Sequence, residues 1–317
     1  MTSENSDRWL DLALSASRHA GVEPGAPQII ATWDQPYCAN AVYRLGGQRI
    51  LKIFGPEAER QFHIERSVLH TLADQNTIPA PRILALGERR QTPPYLILSE
   101  IAGSTAEDVW DDIARSEQLS LAGEFGAITA AIHRLPQAEL AAVERQFQGK
   151  AFHIERCRPL RLTEIKELAS LSTAQRDALL RFVLEEAPQH LASLNRLTHY
   201  DLAHNHIYLN RKARRWQVSG LIDWAEAVLG PPEWDVVYLW SWTFSGDREA
   251  MRACLERLYP DGRRPARFAR RCLAALFYTS SMRLLWPRYL KRGVKQRSII
   301  RDLTAFLFPA ALFGPPD

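Results

Sequence analysis

Cysteine is scarce in this chain of 317 residues: Cys38, Cys157, Cys254 and Cys272 are scattered, with no C-x-x-C pair. That spacing excludes a zinc ribbon and a disulfide framework, and it fits a reducing cytoplasm, the location expected for the protein. Long apolar runs are missing as well. None approaches the ~18 residues that a membrane helix needs, so no membrane partner is expected. Met1 to Arg8 carries neither a basic stretch nor an apolar one, so no export leader is expected. No helix-turn-helix, zinc-finger or RNP-like pattern occurs, and no nucleic-acid partner is expected. There is no G-x-G-x-x-G run, no internal repeat and no low-complexity segment.

What is present suits an ordinary globular protein. Hydrophobic residues make up 46% and charged residues 24%, enough apolar surface for a sizeable core in one large domain or two modest ones. The net charge of +4 is uneven: from Ser241 onward 15 Lys and Arg stand against 6 Asp and Glu, which leaves the first 240 residues net acidic. The basic part reads as solvated helix faces, with an anionic partner as the functional alternative.

Hydrophobic spacing divides the chain near Ala102-Gly103. Asp7 to Ala20 has helical periodicity through Trp9, Ala13, Ala16 and Ala20. Gln28 to Thr32, Ala41 to Leu45 and Arg49 to Phe54 read as strands, with a hairpin at Gly46-Gly47. Glu57 to Ala73 is helical, and Ile83 to Leu86 and Tyr95 to Ser99 are two further strands. Beyond Gly103 the pattern is mainly helical: Gln118 to Arg134, Leu162 to Leu171, Thr173 to Glu186, Pro188 to Leu194, Arg248 to Tyr259, Ala266 to Leu285 and Ser298 to Phe308. The expected fold class is α+β, with a small β-rich lobe over residues 1–102, a larger helical lobe over 103–317, and a ligand cleft between them.

Two short segments carry the chemistry. The first is His199-Tyr200-Asp201-Leu202-Ala203-His204-Asn205-His206, and the second is Leu221-Ile222-Asp223-Trp224. An Asp after a short apolar run, with a metal-capable side chain five residues on, puts a base and a ligand on one loop. Val218 to Ile222 reads as a short buried strand that delivers a second carboxylate, Asp223. Phosphoryl-transfer sites are assembled in this way, from a carboxylate for the attacking hydroxyl and separate ligands for the metal on the phosphates. Upstream, Lys52 interrupts the apolar run Ile50-Leu51-Lys52-Ile53-Phe54, where an ammonium needs a partner unless it lies on a solvent face. Glu65, on the next helix, is the expected partner, whereas Glu57 and Glu59 suit the dipole at the helix start. The Glu100 carbonyl and the Ala102 amide, at the end of the last strand, are candidates to read an adenine edge. His199 is expected to hold the loop through backbone hydrogen bonds, since the three histidines lack the spacing of a zinc helix. Asp235 is expected to cap a helix that begins at Val236, and Glu226 to be structural.

Together these residues resemble the aminoglycoside phosphotransferase family, whose fold is similar to that of protein kinases. The resemblance runs from Ala41-Val42-Tyr43-Arg44 through Lys52, Glu65, Tyr95 to Gly103, His199 to His206 and Ile222 to Ala227. It looks closest to the hygromycin B phosphotransferases, through Ile53-Phe54-Gly55, Ile78 to Arg82, Ile222 to Ala227, Gly246 to Glu249 and Leu312 to Asp317. The resemblance implies a two-lobed enzyme that moves the γ-phosphoryl group of ATP or GTP to a hydroxyl of a small molecule, with Mg²⁺. It implies Lys52 on the α/β-phosphates with Glu65 as its partner, Asp201 as the catalytic carboxylate, and His206 and Asp223 as metal ligands. Asn40, Ile50, Glu100, Ala102 and Ile222 complete the implied nucleotide site, with Pro36 to Asn40 over the phosphates. It implies a cytoplasmic protein whose partner is a hydroxylated acceptor, such as an aminoglycoside antibiotic, and a monomer is expected.

Two departures from the family pattern stand out. His206 replaces the usual Asn, as it does in macrolide phosphotransferases, and imidazole is a softer ligand than Mg²⁺ prefers. Either His206 ligates directly, or Asn205 shifts in, or a second metal is weak. Tyr200 replaces a small residue, and its phenol is expected to narrow the acceptor pocket or touch the sugar. The acidic run Glu107, Asp108, Asp111, Asp112 and Glu117 reads as an exposed helix start or as a site for a polycation. Kinases of macrolides or other sugar-containing metabolites, and a nucleotide-binding pseudokinase, are the alternative readings.

Overall fold

The computed structural model of the chain describes residues 3–23, 25–35, 38–88, 93–136, 149–192, 196–279, 282–295 and 297–316. Helix α1 (Ser3–His19) is followed by strands β1 (Gln28–Gln35), β2 (Cys38–Leu45) and β3 (Arg49–Phe54), helix α2 (Glu59–Leu72), and strands β4 (Ile83–Gly87) and β5 (Tyr95–Ser99). The five strands form one antiparallel sheet in the order β1-β2-β3-β5-β4.

Alternation along the strands sorts the side chains by face. Leu51 and Ile53 of β3, with Tyr95 and Ile97 of β5, pack under Trp9, Ala13 and Ala16 of α1. The opposite face, with Phe54, Leu96 and Leu98, packs on Phe62, Ile64, Val68 and Leu69 of α2 and joins the main core. Lys52 lies on this second face by the same two-residue period. Helix α1 stops where Gly21 takes a left-handed φ of 65°, a conformation that suits glycine at a helix end.

The remainder is largely helical, with a small antiparallel sheet and one further strand pair. Strand β6 (Ser104–Thr105) leads to α3 (Ala106–Val109), α4 (Arg115–His133), α5 (Gly149–Glu167), α6 (Thr173–Arg181) and α7 (Ala187–Leu191). Strand β7 (Arg196–Thr198) precedes the hairpin of β8 (Ile207–Lys212) and β9 (Arg215–Leu221), and β10 (Val228–Gly230) pairs back onto β7. Helix α8 (Glu233–Tyr238) runs into a π turn over Leu239–Thr243. Helices α9 (Arg248–Leu258), α10 (Phe268–Phe277), α11 (Met282–Arg292), α12 (Ile299–Leu307) and α13 (Ala310–Phe313) complete the chain.

Several boundaries differ from the sequence reading. The expected helix at Leu162 to Leu171 is the end of α5, which runs from Gly149 straight through Pro159. The stretch from Ala266 to Leu285 is two helices, α10 and α11. The charged stretch from Asn210 to Arg215, by contrast, holds the turn that its composition suggests: it is the tip of a hairpin whose turn residues, Ala213 and Arg214, both have positive φ, as a two-residue turn of this kind requires.

Helices α4 and α9 cross closely at Gly126. A Cβ there would lie 2.1 Å from the Cys254 carbonyl oxygen. Gly126→Ala is expected to destabilise the protein by about 1–3 kcal/mol through forced separation of the two helices, read as a lower melting temperature.

Candidate active site

Strand register brings the two motif segments together. Ile207 pairs with Leu221 across the β8–β9 hairpin, and the Ile222 amide donates to the His206 carbonyl at 3.0 Å. His206 and Asp223 therefore leave the same end of the hairpin. The β7–β10 pair sets Thr198 opposite Val228, which places His199, Tyr200 and Asp201 beside the segment from Asp223 to Ala227. Asp223 itself has a left-handed backbone (φ 62°, ψ 63°). Tyr200 does too, with φ 67°. Each costs about 1–2 kcal/mol for a residue with a Cβ, a strain that clusters at functional sites.

Lys52 is the junction between the sheet and this site. Its Nζ lies 2.7 Å from Glu65 Oε2 and 2.7 Å from Asp223 Oδ1. Burial works against the ammonium, but the Asp223 and Glu65 carboxylates outweigh it and hold the lysine charged, above its usual range. Burial also works against the Asp223 carboxylate, and Lys52 followed by His206 outweighs it, so Asp223 stays ionised well below the usual range. Glu65 is pushed up by burial, with Lys52 opposing; it also accepts the Trp224 amide. One buried cation thus ties a sheet strand, helix α2 and the 222–224 segment together.

The loop before β8 is held from several sides. His199 Nε2–H donates to the Ile222 carbonyl at 3.0 Å, and burial, then His206, pushes its pKa down to about 4, so the ring is neutral. This agrees with the backbone-holding part expected of it. The Asp201 carbonyl accepts from His206 Nδ1–H at 2.9 Å, which turns His206 Nε2 toward Asp223 Oδ2, 3.8 Å away. The Asp201 carboxylate, 3.4 Å from His206 Nδ1, is pushed up to about 6 by burial, with His206 opposing and Asp223 and Glu226 adding to the rise.

Asp223 and His206 suit a divalent ion that arrives on a phosphate. Asp223 Oδ2 and His206 Nε2 present one hard oxygen and one imidazole nitrogen, and the His206 tautomer is fixed by its other nitrogen, as metal-binding histidines require. Among the described residues no group of three or more His, Cys, Asp or Glu forms a metal cluster on its own. Two protein ligands are nevertheless what Mg²⁺ commonly uses when phosphate oxygens and waters fill the other positions. Asn205 Nδ2–H donates to His206 Nε2 at 3.1 Å, a bond that a metal ion on that nitrogen would displace.

The other candidate residues flank this centre on the sheet side. Ile50 is half-buried on the same β3 face as Lys52, and Asn40 pairs with Phe54 across β2 and β3. The Glu100 carbonyl and the Ala102 amide have no hydrogen-bond partner among the described residues, and the Ala102 carbonyl accepts from Ser219 Oγ at 2.6 Å. The Glu100 carboxylate pairs with Arg44 at 2.7 Å. Pro36 and Tyr37 of the expected phosphate loop lie outside the described residues.

Two sequence readings need correction. Asp235 does not cap a helix: it lies within α8, wholly buried, and accepts from the Tyr200 amide at 2.9 Å, the His199 amide at 3.2 Å and His133 Nε2 at 2.8 Å. Two carboxylates within the otherwise apolar run Glu233-Trp234-Asp235-Val236-Val237 were the available signal, since burial of a charge demands donors. Tyr200 does not line an acceptor pocket. Its ring is 4% exposed, packed on Trp234 and Tyr238, and its hydroxyl donates to the Tyr278 carbonyl. The sequence reading also passed over Thr243, whose hydroxyl donates to the Leu202 carbonyl at 2.5 Å, and Gln61, which donates to Glu226 at 2.7 Å.

A family profile described as "phosphotransferase enzyme family" (APH) matches residues 38–269, nearly three-quarters of the chain. The chain belongs to this family. It is a small-molecule kinase, and its fold is that of the kinase-like members. Among solved structures, the GDP complex of aminoglycoside 2'-phosphotransferase-IIIa is similar over 93% of this chain and 95% of that one, at 15% identity and a TM-score of 0.65. Macrolide 2'-phosphotransferase MphH from Brachybacterium faecium is similar over 96% and 98%, at 19% identity and a TM-score of 0.56. A thermostable variant of APH(4)-Ia, in ternary complex with ADP and hygromycin B, is similar over 86% and 91%, at 15% identity and a TM-score of 0.54. At these identities the likeness is one of fold.

Proposed function

We propose that the enzyme transfers the γ-phosphoryl group of ATP or GTP to a hydroxyl of an aminoglycoside-type antibiotic such as hygromycin B, inactivating it. The observation that carries the reading is Lys52 Nζ bridging Glu65 and Asp223 at 2.7 Å each, on the floor that also presents Asp201. In this reading residues 1–102 form the nucleotide lobe and 103–317 the catalytic and acceptor lobe. Lys52, fixed by Glu65, meets the α/β-phosphates. Asn40, Ile50, Ile222, the Glu100 carbonyl and the Ala102 amide line the rest of the nucleotide site. Asp201 orients the acceptor hydroxyl and takes its proton as the oxygen attacks phosphorus. His206 and Asp223 hold Mg²⁺, which when bound neutralises the phosphate oxygens.

Charge near the loop favours a cationic acceptor. Glu107 and Asp111 act electrostatically on His204, and Trp110 packs against its ring at 6.0 Å. Acidic groups of the 107–112 run thus gather at the catalytic loop despite the basic C-terminal surface. His206 favours a second reading, a macrolide acceptor, since the structurally similar MphH is a macrolide kinase. Three free cysteines are buried, and among the described residues no helix is long and apolar enough to cross a membrane. These features support a cytoplasmic location, and the enzyme is proposed to act as a monomer.

The test is diphosphate release from ATP and GTP with Mg²⁺ or Mn²⁺, against aminoglycosides, macrolides and simple sugar alcohols. Release stimulated by hygromycin B supports the first reading, and stimulation by a macrolide alone supports the second. Nucleotide binding without turnover on any acceptor would identify a pseudokinase. In the same assay Lys52→Met is expected to weaken nucleotide binding at least about tenfold. It is also expected to lower the melting temperature, because Glu65 and Asp223 are left without their buried counter-ion, a loss of about 3–5 kcal/mol for a broken buried pair.

A further inference from the structure

Tyr200 sits immediately before Asp201 yet sends its side chain away from the cleft. Its backbone is left-handed, a conformation that an aromatic residue does not adopt unaided. Three groups hold it there. Asp235 accepts its amide, Trp234 meets its ring edge-on at 4.9 Å between centroids, and Tyr238 packs at 5.7 Å. At the far end of the ring the hydroxyl donates to the carbonyl of Tyr278, the residue that ends α10. Cys157 of α5 lies beside the phenol. One side chain therefore joins the loop that carries Asp201 to helices α5, α8 and α10, none of which belongs to the nucleotide side.

We infer that Tyr200 is a positioning residue whose hydroxyl, anchored on the Tyr278 carbonyl, fixes the direction in which the loop presents Asp201. A buried phenol bonded at both ends of its span has one available place, so the backbone at 200 and the next side chain inherit that place. Lys52, Glu65 and Asp223 do not depend on it, because they are held by one another; of the nucleotide-side groups only His206 leans on the same loop, through the Asp201 carbonyl. Loss of the hydroxyl should thus lower turnover and spare nucleotide affinity. The inference rests on the proposed role of Asp201.

Tyr289→Phe supplies the control. The Tyr289 hydroxyl is another buried phenol, and it donates to Asp302 Oδ2 of α12 at 2.9 Å, away from the catalytic loop. The experiment compares wild type, Tyr200→Phe and Tyr289→Phe in release of diphosphate from ATP or GTP with Mg²⁺, with water as the acceptor and with the acceptor that stimulates release. It is paired with amide hydrogen exchange over residues 199–203 and with melting temperature. In Tyr200→Phe, kcat is expected to fall about tenfold with KM for nucleotide within about twofold, the mark of a misdirected group rather than a lost binding contact. Exchange at 199–203 should rise in the same variant. Tyr289→Phe should lower the melting temperature and leave kcat, KM and exchange at 199–203 near wild type. An unchanged kcat in Tyr200→Phe, or an equal loss in Tyr289→Phe, overturns the inference. If wild type releases no diphosphate with any acceptor, the catalytic reading of Asp201 fails, and the exchange comparison still decides whether the hydroxyl orders the loop.

Discussion

Asp201→Ala is expected to reduce phosphoryl transfer by about 10²–10⁴-fold, the usual share of a positioned general base, while nucleotide affinity changes little. The geometry separates the two effects. His206 Nδ1 bonds to the Asp201 backbone carbonyl, which alanine retains, so His206 keeps its place opposite Asp223. Lys52 makes its two ion pairs with Glu65 and Asp223, and neither involves Asp201. Turnover with the acceptor found in the panel, beside a nucleotide titration, checks both halves. An equal loss of binding would show that Asp201 holds the nucleotide rather than the hydroxyl.

The same substitution has an expected signature in stability. Burial raises the Asp201 carboxyl to about 6 in the folded protein, above the ~3.9 of an unfolded Asp. The folded state therefore binds the proton more readily, and ionised Asp201 costs the fold stability once pH exceeds both values. Asp201→Ala should accordingly melt higher than wild type at pH 7–8, and that advantage should shrink as pH falls from about 6 toward about 4. Melting curves across that range check the sign. A catalytic carboxylate kept at some expense to the fold is the common trade between activity and stability.

The parts of this site that could be read from sequence share one property: each is a charged residue breaking an apolar run. Lys52 within Ile50 to Phe54 and Asp223 after Leu221-Ile222 announce themselves because burial of a charge needs a partner. The structure supplies that partner by bringing the two to 2.7 Å. The misreadings arose where a local rule competed with a distant contact. Asp235 lies close to a helix start, and a capping rule claimed it, but its partners His199, Tyr200 and His133 come from 35 to 102 residues away. Tyr200 was placed in the pocket because it adjoins Asp201, and only the left-handed backbone turns it toward Tyr278. Strand β8 escaped notice because its outer end, Asn210-Arg211-Lys212, is polar and charged and reads as part of the turn. Helix α5 was expected only over Leu162 to Leu171, whereas it runs from Gly149 to Glu167 with Pro159 inside it.

Asp235→Ala is expected to be the most damaging single change to the fold near the site. The carboxylate is fully buried and accepts from two backbone amides and from His133. Its removal leaves three buried donors without their acceptor. Breaking one side of a buried charged network costs about 3–5 kcal/mol, and native domains hold only about 5–15 in all. The variant should melt far lower, and at temperatures where it remains folded its kcat should fall by at least about tenfold, because the amides of His199 and Tyr200 are the fixed points from which Asp201 projects. Asp235→Asn separates the two effects. The amide is nearly the same size and can accept one backbone N–H, but its NH₂ must face another donor, so the fold should recover in part while the loop stays misdirected. Recovery of full turnover in Asp235→Asn would mean that size alone, and not the pair of accepted amides, sets the direction of the catalytic carboxylate.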